Sequence, residues 1–536
     1  MRRITVRTNS YHDSVFLMLA TRGIKALPGV KDAVVAMATP MNLELLVDLG
    51  FSGKDLEGLT PNDLVVAVDA TDDSTVESAT AAAFEALKRK KEAGGASSAR
   101  SAPSVAAALA TEPPPNIAVI SVPGAYAARE ARKALKAGLH VMLFSDNVSL
   151  DDEVALKTLA SSKGLLMMGP DCGTAIINGK PLCFANVVRR GPIGVVAASG
   201  TGLQEATCLI DRFGSGVSQA IGTGGRDLKN AAVGGMTTLT AIAALAADPS
   251  TSTILVVSKP PAPEVAAKVL DALAASGKPC VAHFLGMSPG AERPNLAFAT
   301  DLEEAALLAV LAASGETDPR EARARIAEDS GNDRWNRPSR TRIEAVAVKE
   351  SARLGPGQKY LRGLYTGGTL ADEALFIAHK ALGGVRSNNQ TDAAWRLADP
   401  QQSEGHAVVD LGDDVFTVGK PHPMIDPGAR AERIEREGRD PSVAVLLLDV
   451  VLGYGSHPDP AGACVDAIRK AKADAAARGG YLPVIASVTG TPGDPQGFDA
   501  QVAKLEEAGV VVMPSNYRAA LVAVQIAEDA SAGGKR

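Results

Sequence analysis

Apolar residues gather along this chain in short runs rich in Val and Ile. These runs alternate with Ala-rich stretches in which apolar positions recur at helical spacing, and Gly and Pro stand between them. Strand, glycine loop, helix, strand is the order that parallel α/β domains require, because each strand is buried on both faces and each crossover carries a helix. The expected fold class is α/β, with several Rossmann-like or flavodoxin-like parallel sheets and a small α+β module at the N-terminus.

Four modules follow from the pattern. Residues 1–92 read as a strand at 4–8, a helix at 13–27, strands at 32–38 and 63–69, and a helix at 74–91, which together suggest a ferredoxin-like unit. Residues 93–190 open with a Pro- and Ser-rich stretch containing a short helix at 104–111. NIAVISVPG then begins a Rossmann-like unit that ends in MMGPDCGTAIINGK, a strand end leading into a glycine-rich, Asn-bearing loop. Residues 191–314 carry the strand 194–198, the turn Ser199-Gly200-Thr201-Gly202 and the helix 203–213, then a second glycine turn at 222–225 and strands at 253–257 and in PCVAHFLG. The charged stretch 315–357 reads as a linker. Residues 358–530 repeat the texture of the third module, with strands at 407–411, 443–449 and 482–488.

Composition narrows the function. The 536 residues carry a formal net charge of −6, with 4% aromatics, which excludes a general nucleic-acid binder lacking a basic footprint and stacking platforms. No apolar run reaches the ~18 residues that cross a bilayer, so no membrane partner is expected. Five dispersed cysteines without CxxC spacing fit a reducing, cytoplasmic setting and argue against structural zinc; no metal is expected.

Ser199-Gly200-Thr201-Gly202, set between strand and helix, is the strongest chemical feature. N–H groups at a helix start together with the dipole attract phosphate or carboxylate, and the hydroxyls add donors; the plain alternative is a helix cap. Gly224 and Gly225 end the next strand, and Lys259 ends another. Both places would complete a phosphate cradle at the carboxyl edge of the sheet, unless Lys259 is simply a solvated loop lysine. Asp410, Asp413 and Asp414 precede His422, which lies between Pro421 and Pro423. Two prolines fix the backbone around an imidazole, which suits general acid–base work, with Asp410 and Asp413 as partners; the alternative is a turn cap near Asp426. His457 reads as a helix cap. Cys172 lacks a base partner, and the remaining histidines read as structural.

SGTGLQEA, with GPDCG upstream and IGTGGRD downstream, resembles the α subunit of succinyl-CoA synthetase and its ADP-forming acyl-CoA synthetase relatives. The fourth module is similar to the C-terminal domain of the β subunit. The phrases RTNSYHDSVFLMLA, ISVPGAYAAREARKAL, GPDCGTAIINGKPLCFANVVRRG and DLGDDVFTVGKPHPMIDP resemble the narrower FdrA-type proteins across nearly the whole chain. The resemblance implies a CoA-binding-like domain over 93–190, and two helices aiming their N-termini at a transferred phosphate. It also exposes departures. PGAERPNLAFATDLEEA lacks the family's phosphohistidine, Ser258-Lys259 stands near the place of its supporting glutamate, the glycine-rich CoA loop is not recognisable, and there is no ATP-grasp domain.

FdrA-type resemblance implies an oxamate carbamoyltransferase subunit of purine (allantoin) catabolism. Such a subunit would move a carbamoyl group between a ureido acid such as oxalurate and phosphate, with carbamoyl phosphate as the other substrate. Its partners would be an anionic small molecule, other subunits of the complex in an oligomer, and a carbamate kinase downstream; CoA is a further possible ligand. Two alternatives stand beside it: an ADP-forming acyl-CoA synthetase subunit working with a nucleotide-binding chain, and a non-catalytic scaffold.

Overall fold

Nine consecutive residues, Val443–Val451, form a strand buried along its whole length. A strand covered on both faces has no reason to alternate, so it reads as an unbroken apolar run. Only Asp449 interrupts it. The computed structural model describes residues 1–10, 12, 14–51, 53–93, 102, 104–287, 293, 295–328, 339–417 and 421–533. They divide into two compact units, Met1–Ser101 with Asp414–His422, and Ala102–Asp413 with Pro423–Arg536.

In the first unit, strands Arg2–Arg7, Leu64–Ala70 and Val30–Met37 form an antiparallel sheet with Leu64–Ala70 in the centre. Val66 and Val68 point to one face, where they pack with Leu17 and Ile24 of helix Ser14–Lys25 and with Val76 and Ala79 of helix Asp73–Ala93. Val65 and Ala67 point to the other, against Leu46 of helix Pro40–Asp48 and Phe51. Period-two alternation thus serves two small cores. Helix Pro40–Asp48 is an element the sequence reading lacked. Its start signals were present, since Thr39 caps Asn42 and Pro40 takes the first helical position.

The second unit holds three sheets. Strands Ile117–Ile120, His140–Leu143 and Met167–Met168 run parallel, with helices Gly124–Lys136 and Leu150–Ser162 packed on them. This small sheet ends at Met168, well before the boundary at 190 read from the sequence. The segment read as a glycine-rich loop is instead a hairpin, Thr174–Ile177 with Lys180–Cys183, and it pairs antiparallel with strand Val217–Gly222 of the next sheet.

That next sheet has seven strands, in the order Leu296–Phe298, Cys280–Phe284, Thr253–Ser258, Arg190–Ala198, Val217–Gly222, then the hairpin. The third sheet is wholly parallel, in the order Ala407–Asp410, Tyr360–Tyr365, Val443–Val451, Val484–Thr489, Val511–Met513. One continuous core joins the two larger sheets. Val195, Leu255, Leu203 and Leu307 from one belong to the same apolar cluster as Leu361, Leu370, Val445 and Ile485 from the other.

The stretch 315–357, read as a linker, contains helices Pro319–Glu328 and Arg340–Ser351. Its charged composition hid two short stripes, Ala322/Ile326 and Ile343/Ala347, each four residues apart and buried. The expected short helix after the first Pro/Ser-rich stretch is found at Val105–Leu109.

Candidate functional site

Two parallel strands, Arg190–Ala198 and Tyr360–Tyr365, each run straight into a glycine turn and a helix: Gly200–Arg212 after Ser199, and Gly368–Leu382 after Gly367. The helix starts meet. Ser199 Oγ lies 2.5 Å from Thr369 Oγ1, and the Thr369 N–H donates to Thr201 Oγ1 at 3.3 Å. Ser199 also caps its own helix, accepting from Gly202 N at 2.9 Å. Among the described residues, no protein acceptor takes the N–H of Gly200, Thr201, Gly368 or Leu370. Unfilled donors at two meeting helix starts are what an oxyanion needs.

The second junction is held from below. Asp449, fully buried in the neighbouring strand, accepts from Thr366 N at 2.9 Å, Thr366 Oγ1 at 3.1 Å and Gly367 N at 2.8 Å, and pairs with Arg430 at 3.1 Å. Burial keeps the Asp449 carboxyl above its ordinary pKa, although Arg430 and these donors pull it down. The sequence reading missed Asp449. Its signal was an acidic residue inside an apolar run.

Beside that junction lies a cluster of opposite charges. Lys259 Nζ contacts Asp372 Oδ2 at 2.7 Å, and Asn389 Nδ2 donates to Asp372 at 3.0 Å and Asp410 Oδ2 at 3.1 Å. Asn388 fixes the backbone of Asp410 through a reciprocal pair at 3.0 Å each way. A Cβ on Gly368 would stand 2.7 Å from Asp410 Oδ2 and 3.5 Å from Lys259 Nζ, so the cluster touches the helix start and only glycine fits there. Burial pushes the Asp410 carboxyl up to about 6, against the pull of Lys259 and Asn389. Burial alone would weaken the Lys259 ammonium, but Asp372, Asp410 and Asp171 together hold it above its ordinary value. Lys259 is thus an ion-paired residue at the site rather than a solvated one. Asp372 and Asn389 were not read from the sequence.

Other expected site residues fall elsewhere. Gly224, with φ +87°, is wedged against the Pro170 carbonyl, and Gly225 caps a four-residue helix near Asp171. Gly224 thus serves close packing of backbone on backbone, while a Cβ on Gly225 would meet only Asp171 Oδ2, at 3.8 Å. His422 groups with the first unit, while Asp410 and Asp413 belong to the second. Burial lowers the His422 pKa to about 4. His457 Nδ1 accepts from Asp459 N at 3.0 Å in the turn before helix Gly462–Ala477, whose cap is Ala461, so it does not cap that helix. Cys172 is buried, with its thiol pushed up to about 12, which suits packing rather than nucleophilic work. Of the stretch PGAERPNLAFATDLEEA, which lacks the family's phosphohistidine, residues 289–292 and 294 lie outside the described residues.

A protein of Escherichia coli K12, the uncharacterized protein YahF, is 47% identical over 523 residues, covering 97% of this chain and 98% of that protein. The chain belongs to the YahF family. Within the YahF-family chain, residues 364–526 match the CoA-ligase model, and residues 1–103 match the model described as AllF, heavy metal-associated domain. The α subunit of succinate–CoA ligase from Aquifex aeolicus is 30% identical over 150 residues, 27% of this chain and 48% of that subunit. A solved structure of ATP citrate lyase from Methanothrix soehngenii covers 79% of this chain and 83% of its own at 14% identity, with a TM-score of 0.31. The YahF-family chain is therefore a member of the succinyl-CoA synthetase/CoA-ligase superfamily with an AllF-type N-terminal domain.

No cysteine falls in residues 1–103, and no group of three metal-ligating side chains occurs among the described residues. At the start of helix Gly124–Lys136, after the first strand of the small sheet, Pro123 caps without a side-chain hydrogen bond, and the carbonyl oxygen of Asn147 lies 2.6 Å from where a Cβ on Gly124 would be, so only glycine fits there.

Proposed function

We propose that this chain is an acyl-transferring subunit of CoA-ligase type that forms or consumes an acyl phosphate at the two meeting helix starts. The observation that carries the reading is the contact of Ser199 with Thr369, which brings the free N–H groups of Gly200, Thr201, Gly368 and Leu370 to one place. These donors would hold phosphate and the oxyanion that grows on the attacked carbonyl. One phosphate oxygen attacks the carbonyl carbon, a C–O bond forms, and the bond from carbon to the leaving group breaks. Asp410, with a proton affinity near neutral, can supply the proton that the leaving group takes. Lys259 neutralises charge beside it.

Relatives named as ADP-forming ligases favour an acyl group of ligase type, with the nucleotide and thioester steps on partner chains. A second reading, carbamoyl transfer between a ureido acid and phosphate, draws support from the AllF-type module and from Asp410, since a carboxylate beside the donors accepts the N–H groups a carbamoyl presents.

One experiment separates them. The full-length chain is titrated calorimetrically with inorganic phosphate and with CoA. Acyl phosphate formation is then followed from a panel of acyl-CoA thioesters and ureido acids, with natural partners added. Phosphate binding with turnover of either class supports the site. Failure of phosphate to bind rejects it.

A further inference from the structure

Glu205 and Glu373 stand at the same place in the two helices, the seventh residue counting the caps Ser199 and Gly367 as first. Both side chains are buried, and a single residue joins them. The Asn516 N–H donates to Glu205 Oε1 at 3.2 Å, while its Nδ2 donates to Glu373 Oε2 at 2.8 Å and to the Leu370 carbonyl at 3.0 Å. Thr489 closes the other oxygen of Glu205 at 2.5 Å, and Leu302 N that of Glu373 at 2.9 Å.

The charges around the pair do not balance it. Asp301 and Glu303 face it from the start of helix Leu302–Ala313, and Tyr517 and Arg518 from helix Asn516–Gly533. Tyr365 and Asp449 face it from the strands beneath, and Arg212 from the helix of Glu205 itself. Arg518 is committed to Glu303 at 2.8 Å, and Asp449 to Arg430. Arg212 draws on Glu205, and among the described residues no salt bridge reaches Glu373. Two further polar atoms in the same place, the Tyr365 hydroxyl and Asn516 Oδ1, are buried without a hydrogen-bond partner. Two buried carboxylates beside two buried polar atoms without a hydrogen-bond partner are a place for a proton.

We propose that Glu205 and Glu373 share one proton in the folded chain and, bridged by Asn516, act as positioning residues that hold the two helices in register so that their starts meet. The consequence for phosphate rests on the site reading above; the proton itself does not. Burial pushes Glu373 up to about 8 and raises Glu205 as well. Folded values above the unfolded one mean that the native chain binds the extra proton. The stability it brings is fully present below about pH 4.5 and is lost as pH rises through about 8.

Infrared spectra of the full-length chain, with glutamate carboxyls selectively 13C-labelled, test this directly. A protonated-glutamate band is expected at about pH 7, disappearing above about pH 9, because ordinary glutamates titrate near 4.3. Its absence from the native protein overturns the proposal, whatever the variants do. Melting curves follow. Between about pH 6 and pH 9 the native Tm is expected to fall by about 2 °C more than that of Glu373→Gln, the shift that a proton lost near pH 8 brings in a chain this long. Equal slopes in native, Glu205→Gln and Glu373→Gln also overturn it. Phosphate affinity adds the readout a merely structural pair would not move: a loss from about pH 6 to pH 9 that Glu373→Gln abolishes. Phosphate failing to bind any of the proteins, with the infrared band in place, rejects the site and leaves the shared proton standing.

Discussion

The two helix starts look alike in sequence, SGTG against TGGT, yet they are built differently. Ser199 caps its own helix, and the exposed Gly200 beyond it has nothing closer than Thr174 Oγ1, 3.7 Å from a Cβ placed there. Gly367 has no side chain to cap with, so its turn is fastened by Asp449 from the next strand, and Gly368 is pressed against Asp410. The first junction is self-sufficient and open, the second borrowed and crowded. One presents bare donors to an anion; the other places a titratable carboxylate and a lysine beside them. A symmetric pair of anion sockets would bind phosphate, whereas this asymmetric pair can also manage a proton.

Breaking the borrowed cap should have the largest effect. Asp449→Ala strips three hydrogen bonds from the turn and leaves Arg430 buried without its carboxylate. Removing one partner of a buried pair costs about 3–5 kcal/mol, so chemical denaturation of this variant should show that loss, or no folded chain. A loss under about 1 kcal/mol would mean that the second junction stands without its strand.

Next comes the crowded carboxylate. Asp410 has a folded pKa near 6 against an ordinary 3.8, so its ionisation opposes folding, and the native chain loses stability as pH rises through that window. Asp410→Asn should remove that part of the slope, worth on the order of 2–3 kcal/mol above about pH 7, while abolishing the fall of turnover that ionisation of this proton donor brings as pH rises above about 6. Melting curves against pH, native minus variant, read it out. A difference that does not change from about pH 4 to 7 would show that Asp410 is not held in the environment described.

Legibility followed the same divide. Val and Ile runs marked the buried strands, and the strand–SGTG–helix context marked the open junction, because both signals are local. Asp449, Asp372 and Asn389 were not visible as site residues, since each acts on a turn or strand end distant in sequence. The hairpin Thr174–Cys183 was misread because its Gly and Asn turn resembles a loop until strand Val217–Gly222 pairs with it. His422 drew attention through its flanking prolines, which fix a backbone but say nothing of which unit the segment joins. Two helices in 315–357 were lost to charge counting, since four apolar residues at spacing four weigh little against seventeen charges. The similarity of the third and fourth modules was legible as texture, and the matched positions of Glu205 and Glu373 were its unread consequence.

The self-capped junction should yield less when broken. Ser199→Ala removes the acceptor for Gly202 N and the contact with Thr369, and loss of such a cap costs about 0.5–2 kcal/mol. Ser199→Asp, which keeps an acceptor, should recover most of that stability while bringing negative charge to the donors. Phosphate affinity should therefore fall in Ser199→Asp even where its melting curve is restored. Parallel recovery of both would place phosphate elsewhere.

Gly200 offers the smallest structural effect and the sharpest contrast. It is exposed, its space is open, and its φ is not in the left-handed region, so Gly200→Leu should change stability by less than about 0.5 kcal/mol, as for ordinary surface positions. The same side chain would cover the N–H groups of Gly200 and Thr201, so phosphate affinity should drop at least about tenfold, the equivalent of ~1.4 kcal/mol of binding. Gly368→Ala makes the opposite trade. Its single methyl meets Asp410, so overpacking should cost about 1–3 kcal/mol of stability before any ligand is added. Calorimetric titration with phosphate and denaturation, run on both variants, therefore separate a site that is open from one that is braced. Equal stability losses in the two would mean that the junctions are alike after all, and that the asymmetry assigned to them has no energetic content.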